Sequence, residues 1–249
     1  MSPLIILEQA LVAKRFFEES LVGQRIMNQT GPTYKGTFVT LEGPEGAGKT
    51  TQVKLLSKEL KALGVDHEVT RDPGGTALGK QIRRILLSND YVVAPLAELL
   101  LYQADRAQHV AEKILPALER GALVICDRYI DSTVAYQGYG RELDFELINT
   151  LNQMSTQGLT PDLTILFDIE SADGLSRLHP GGHDRMERED IEFHRRVREG
   201  YRKIASANPD RFEILDASKA MTTVQEEFRK ILSTHFGERH RLAEVMTRI

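Results

Sequence analysis

The sequence has one cysteine in 249 residues, Cys126, and no apolar run near the ~20 residues that a membrane span needs. A lone cysteine excludes an intramolecular disulfide and is compatible with a reducing compartment. Set in Leu123-Val124-Ile125-Cys126, it reads as a small buried hydrophobe. An excess of positive charge is missing too. The 32 Lys and Arg against 36 Asp and Glu give a net charge of −4, which argues against a general nucleic-acid or membrane binder. There is no internal repeat and no low-complexity segment. What remains, 41% hydrophobic and 27% charged, describes an ordinary globular protein, long enough for one large α/β domain or two small ones.

Against that background one stretch dominates. Gly43-Pro44-Glu45-Gly46-Ala47-Gly48-Lys49-Thr50 fits the phosphate-loop pattern G-x-x-x-x-G-K-[ST]. It follows an apolar run, 37–41, that reads as a buried strand. A helical pattern follows, with Val53, Leu55, Leu56, Leu60 and Leu63 on one side and Gly64 as its stop. Gly43, Gly46 and Gly48 let the backbone bring its N–H groups up to phosphate oxygens. The helix beginning near Lys49 turns its positive end to the same anion. Lys49 can reach the β- and γ-phosphates, and the Thr50 hydroxyl can sit on Mg²⁺.

Residues 1–35 precede the first strand. Leu4, Leu7, Leu11, Val12, Phe16, Leu21 and Val22 suggest a weakly amphipathic helix. It is a poor signal peptide and, with Glu8, Glu18 and Glu19, a poor mitochondrial presequence. The simplest readings are a loosely docked extension, or a start placed too early with Met27 as the first residue. A second strand is expected over 65–70, after which Arg71-Asp72-Pro73-Gly74-Gly75-Thr76 must bend. Leu78, Ile82, Ile85 and Leu86 mark a helix whose Lys80, Arg83 and Arg84 form a solvated face. Pro95 opens the next helix, expected to reach about Glu119 with Pro116 kinking or shortening its last turns and Gly121 as its stop. Within it Tyr102 and Arg106, four apart, share a face. An aromatic plate beside a guanidinium suits a planar base, although on spacing alone a half-buried Tyr beside a surface Arg is the simpler reading.

A third strand, 122–126, ends in Asp127-Arg128-Tyr129. A carboxylate there, beside a phosphate loop, is placed to bind Mg²⁺, with Arg128 as a bidentate phosphate ligand. Asp168 ends the fourth strand, 162–168, and offers a second such carboxylate; Asp127 is preferred because Arg128 adjoins it. Asp144 caps a helix carrying Phe145, Leu147, Ile148, Leu151 and Met154. After a short helix ending near Arg177, His179 to Glu187 contains Pro180 and two glycines and reads as a mobile lid at about 178–188. Its histidines lack the second ligand pair of a zinc site. A helix from about Glu189 to Ala207 carries Arg195, Arg196, Arg198 and Arg202, most of them expected to be solvated. A fifth strand, 212–215, and a last helix, 221–236, precede a polar tail at 237–249. The alternation predicts an α/β, three-layer P-loop NTPase fold in one domain, 36–236. Its five-stranded parallel sheet has helices on both faces and binds ligands at the strands' carboxyl ends.

A GTPase would carry a base-reading N-K-x-D motif, which this chain lacks. The small size, the strand-end Asp-Arg and the Arg-containing lid point to a kinase acting on a small phosphorylated acceptor. From Gly36 to about Phe236 the sequence resembles the bacterial thymidylate kinases, P-loop nucleoside monophosphate kinases that move the γ-phosphate of ATP to dTMP. Glu42 to Thr51 matches their phosphate loop. Arg71 to Thr76 resembles their R-E-P-G-G-T loop, with Asp72 in place of the usual Glu. Asp127-Arg128-Tyr129 with Ser132, Ala135, Tyr136, Gln137 and Gly138 resembles D-R-Y-x-x-S-x-x-A-Y-Q-G, and Asp184-Arg185-Met186-Glu187 resembles the D-R-x-E of the lid.

The resemblance implies that Gly43, Pro44, Glu45, Gly46, Ala47, Gly48, Lys49, Thr50 and Thr51 bind ATP, with Mg²⁺ on Thr50 and Asp127. It implies that Arg71 and Arg128 hold the dTMP phosphate and that Tyr102 stacks on thymine. Arg106 bonds a thymine carbonyl, with Thr133 and Gln137 nearby. Tyr136 lies under the sugar and disfavours a 2′-hydroxyl, and Glu45 faces the sugar and the metal region. The catalytic charges would be Lys49, Arg128 and a lid arginine, Arg177 or Arg185. The expected setting is a cytoplasmic homodimer serving dTTP synthesis, with no nucleic-acid or membrane partner. The nucleophile, a dTMP phosphate oxygen, is largely anionic because a phosphate monoester's second pKa is about 6, so no strong base is required. Relatives with an acid at the position of Glu45 usually carry several lid arginines; this lid is short, which leaves open which arginine meets the phosphoryl in flight. The alternatives are another nucleoside monophosphate or deoxynucleoside kinase, or an inactive nucleotide-binding module.

Overall fold

The computed structural model describes residues 34–178 and 184–237. The expectations for residues 1–33, for the lid's His179 to His183 and for the tail from 238 lie outside the described residues. Five parallel strands form one sheet in the order β2-β3-β1-β4-β5: β1 (Thr37–Glu42), β2 (His67–Arg71), β3 (Leu123–Asp127), β4 (Leu163–Asp168) and β5 (Phe212–Asp216). The three apolar runs take the centre because both their faces must be covered. The more polar β2 and β5 take the edges, where half of their side chains meet solvent. β2 begins at His67 rather than Val65, because the Val65 N–H bonds Leu60 O and closes the preceding helix at Gly64.

The two-residue period divides the core. Val39, Leu41, Ile125, Ile165 and Phe167 face one layer, formed by α1 (Lys49–Ala62) and α9 (Met221–Phe236) through Leu56, Leu60, Phe228 and Leu232. Phe38, Val124 and Cys126 face the other, where α3 (Pro95–His109) continues through a π-helical turn, Val110–Ile114, into α4 (Leu115–Glu119). Ile114 and Leu118 pack there. Each fully buried side chain of this size contributes about 1.5–3 kcal/mol. Pro116 therefore neither ends nor shortens this run. The widened turn before it relieves the clash that a proline ring makes with the preceding turn.

The remaining helices are α2 (Ala77–Leu87), α5 (Ile130–Thr133), α6 (Phe145–Thr156), α7 (Ser171–Ser176) and α8 (Ile191–Ala207), with a second π-helical stretch at Val134–Gly140. Thr76, Asp144 and Asp190 cap α2, α6 and α8 through their side chains. Strand register then sets the site. Arg71 and Leu41 both lie opposite Asp127, and Glu42 lies opposite Leu166. Arg71, Glu42 and Asp127 thus emerge together at the carboxyl edge of the sheet.

Candidate active site

The loop between β1 and α1 turns through Gly43, Gly46 and Gly48, all at positive φ. Two of these glycines are required by space as well. A Cβ on Gly46 would lie 1.9 Å from the Gly174 carbonyl oxygen, and one on Gly43 2.3 Å from that of Phe167. The contact is mutual, since a Cβ on Gly174 would meet Glu45 O at 2.3 Å. Glu45 to Thr51 line a cleft of about 620 Å³. Gly43 and Pro44 lie beneath it, where their carbonyls accept from Lys49 Nζ at 2.8 and 2.9 Å. Thr50 Oγ1 donates to Asp127 Oδ2 at 2.9 Å, while the buried Asp127 Oδ1 has no partner among the described residues. An orphaned carboxylate oxygen beside a hydroxyl, both at the cleft, is a donor set that fits Mg²⁺. Asp168 is committed elsewhere: Arg198 grips both its oxygens, at 2.7 and 3.0 Å.

Glu42, the last residue of β1, is fully buried. It accepts from Tyr129 N (2.8 Å), Ser132 N (3.2 Å), Ser132 Oγ (2.6 Å) and Tyr201 OH (2.9 Å). Burial, helped by Asp131, pushes its carboxyl up to about 7 against the pull of the Ser132 bond and Arg128. Arg128 sits at φ 72, a left-handed conformation uncommon for a residue other than glycine. Its Nη1 donates to Gly43 O (3.0 Å), Tyr201 OH (2.9 Å) and Ser132 Oγ (3.3 Å), and its Nη2 to Glu45 Oε1 (2.8 Å). Nε–H and the second Nη2 hydrogen remain for a ligand. Tyr136 supports this guanidinium with its ring, 5.0 Å away, and donates to the same Glu45 oxygen at 2.9 Å. Burial opposes ionisation of Glu45, but Arg128 and then Lys49 outweigh it and hold the carboxyl down to about 2.

A narrow side chamber of about 110 Å³ adjoins the cleft and shares Glu45, Asp72, Arg83 and Arg128 with it. Tyr102, Arg106, Thr133, Tyr136 and Gln137 line it, so the residues expected to read a base do come together. Tyr102 is half-buried, but Arg106 is no surface residue; it is 1% exposed. All five of its N–H donors are engaged. They reach both Asp72 oxygens (2.9 and 3.2 Å), Thr133 Oγ1 (2.9 Å), Asn152 Oδ1 (2.9 Å) and Tyr129 O (3.1 Å). A base carbonyl would have to share one of these. Gln137 gives its amide N–H to the buried Glu98 at 2.8 Å, which turns its carbonyl oxygen away from that carboxylate.

Behind the Arg71–Thr76 loop, Asp72, Asp105 and His109 form a buried cluster. Gly74 N donates to Asp105 Oδ1 at 3.0 Å, while Asp105 Oδ2 has no partner among the described residues. Burial and the neighbouring Asp72 push the Asp105 carboxyl up to about 7 from its ordinary 3.8. Between those two values the folded state holds a proton that the unfolded chain has released, so stability falls as pH rises across the window. Asp105→Asn removes this slope. Urea unfolding should therefore show the variant gaining on the wild type between pH 4 and pH 8; a gap independent of pH would contradict the assignment.

The arginines do not divide as their positions suggest. Arg177 lines the phosphate-loop cleft and is steadied by Ala217 O at 2.9 Å. Arg185 is turned away from that cleft. It ion-pairs with Glu98 at 2.6 Å and donates to Leu86 O at 2.9 Å. Arg195, Arg196 and Arg202 are exposed, as expected for most of these arginines, although Arg196 also donates to Gly140 O; Arg198 alone is drawn in, by Asp168. Arg83, expected on a solvated face, instead lines both cavities and donates to Pro73 O at 3.1 Å. Its signal was its place between the buried Ile82 and Leu86 on one stripe of α2. Arg71 lines the cleft with no acceptor among the described residues. Glu42, Glu98 and Tyr201 were also missed; for Glu42 the signal was a carboxylate closing a largely apolar strand.

No helix among the described residues is long and apolar enough to cross a membrane. The thymidylate kinase family profile matches residues 41–228. A thymidylate kinase of Carboxydothermus hydrogenoformans is 50% identical over 199 residues, covering 80% of this chain and 97% of that protein. One of Nostoc sp. is 48% identical over 207 residues, covering 82% and 98%. The crystal structure of thymidylate kinase from Ehrlichia chaffeensis superposes with a TM-score of 0.67 at 36% identity, covering 79% of this chain and 98% of that one. With the match spanning the phosphate loop, the Arg71–Thr76 loop, Asp127-Arg128-Tyr129 and the lid motif, the chain belongs to the thymidylate kinase family of ATP-dependent nucleotide kinases.

Proposed function

We propose that this chain transfers the γ-phosphate of ATP to dTMP, giving dTDP and ADP. The observation that carries the reading is the two-part cavity, a phosphate-loop cleft joined to a narrow base-sized chamber through Glu45 and Arg128. The cleft takes the triphosphate, with loop N–H groups and Lys49 on its oxygens. Thr50 and Asp127 would hold Mg²⁺, which would supply charge neutralisation to the triphosphate. The free Nε–H and Nη2–H of Arg128 grip the acceptor phosphate side-on, and the unpaired Arg71 and the nearby Arg83 add their charge. Arg177, at the mouth of the cleft, is the lid arginine best placed to meet the phosphoryl in flight. Arg185 acts through Glu98 instead.

In the chamber Tyr102 stacks on the base, and the Gln137 carbonyl oxygen accepts the N3–H of thymine. Thr133 and Arg106 present the donor side. The narrow space favours a one-ring base. Tyr136, fixed by its bond to Glu45, occupies the floor where a 2′-hydroxyl would lie. The site of action is the cytoplasm. A homodimer is supported by the exposed Leu96 and Leu100 of α3 beside Leu147 and Met154 of α6.

ADP release should be measured with Mg²⁺-ATP against dTMP, dUMP, UMP, dCMP, dGMP and thymidine. The expected order is dTMP first, dUMP weaker, UMP and dGMP near background and thymidine silent. Preference for thymidine would void the acceptor-phosphate role of Arg128. ATP binding without acceptor-dependent ADP release would refute the transfer itself.

A further inference from the structure

Glu42 touches neither cavity, yet it meets both hydroxyls that hold the Arg128 guanidinium, Ser132 and Tyr201. Its Oε1 takes the Tyr129 and Ser132 N–H groups, and its Oε2 takes the Ser132 and Tyr201 hydroxyl protons. A hydroxyl has one proton. With those protons drawn to Oε2, the lone pairs of Ser132 and Tyr201 face Arg128 Nη1, which donates to both. We propose that Glu42 is a positioning residue for the acceptor site: its carboxylate sets the polarity of the Ser132 and Tyr201 hydroxyls, and so fixes Arg128 with its Nε edge toward the acceptor phosphate. This rests on the phosphate-holding role proposed above for Arg128.

The chemistry of the pair of oxygens makes the argument specific. The two N–H donors at Oε1 hold that position as an acceptor. A glutamine at 42 must then place its amide nitrogen at the Oε2 position. There it donates to the hydroxyls. Ser132 Oγ and Tyr201 OH lie 2.8 Å apart, so one proton passes between them and the other turns toward Arg128 Nη1. Two donors then face each other, and the guanidinium leaves its seat. The backbone bonds of Tyr129 and Ser132 are kept, so the fold stays closed around the change. The groups facing Glu42 are Asp131 on α5, Arg128 on the β3–α5 loop, Lys49 on α1, Arg106 on α3, Tyr201 on α8 and Arg211 before β5.

The test is a cycle of Glu42→Gln against the double variant Ser132→Ala/Tyr201→Phe, with steady-state kinetics for dTMP and ATP and a urea melt for each protein. At a pH well above 7, where the wild-type carboxyl is ionised, E42Q alone should raise the KM for dTMP about tenfold to hundredfold, the scale of losing hydrogen bonds to a charged group, and leave the KM for ATP within about twofold. In the hydroxyl-free background the same substitution should change the KM for dTMP by less than about threefold, because no proton is left to turn. The hydroxyl-free pair keeps the result readable if E42Q unfolds, since Tyr201→Phe and Ser132→Ala remove the same acceptors and should raise the KM for dTMP alone. An unchanged KM for dTMP, equal losses for both substrates, or full additivity across the cycle would each overturn the positioning role while wild-type turnover upholds the proposed function. A wild type that makes no dTDP would remove both.

Discussion

Lys49→Ala should lower turnover by about 10³-fold while leaving a cooperative unfolding transition. The ammonium is 6% exposed and bonds two loop carbonyls, Gly43 O and Pro44 O. Burial and then Arg128 depress its pKa to about 8, against Asp127, Glu45 and Glu42. A triphosphate in the cleft would add negative charge beside it and favour its ionised form. The loop does not depend on Lys49 alone, because Arg128 also reaches Gly43 O, and removing the lysine relieves its repulsion with Arg128. The loss should thus fall on kcat, where charge shifts toward the leaving phosphate, more than on the KM for ATP. An intact kcat with a raised KM would reduce Lys49 to a ground-state anchor.

Arg106→Met should cost about 3–5 kcal/mol of stability, read as a fall in the urea midpoint. The methionine fills similar volume, so the loss is not one of packing. It leaves the 2%-exposed Asp72 next to Asp105 with only His109, 3.9 Å away, to offset its charge, and it takes the Arg106 bond from Thr133, Asn152 and Tyr129 O at once. The same variant tests what Arg106 is for. A fall in stability together with a weakened dTMP interaction fits a scaffold that aims Thr133 and the Arg71–Thr76 loop. A weakened dTMP interaction with full stability would make it a base ligand only.

The phosphate loop was legible because its spacing dictates backbone shape, and glycine is what such turns and close approaches require. The third and fourth strands were legible for a related reason: a run of four or five apolar residues has no solvated alternative. Arg106 shows where this stops. Its spacing from Tyr102 revealed a shared face, but its acceptors, Asp72, Tyr129, Thr133 and Asn152, come from three separate segments that only the tertiary fold assembles. Arg185 carried the lid motif, yet its direction is decided by Glu98, a carboxylate 87 positions earlier that buries itself and needs cations. Pro116 looked like a breaker because a straight helix cannot absorb it; a π-helical turn can, and no local pattern announced one.

The meeting of Gly46 with Gly174 has a mechanical meaning. Backbone lies against backbone there, with no side chain between that could bend or change rotamer, so the phosphate loop and α7 are geared together without play. Arg177 follows α7 directly, with its own N–H bonded to Gly174 O at 3.1 Å. A displacement of the loop would press directly on α7 and so on the segment that carries that arginine. Arg177, the charge proposed to meet the transferring group, is thus tied to the nucleotide loop through backbone alone, and a single methyl group at position 46 would force the two apart.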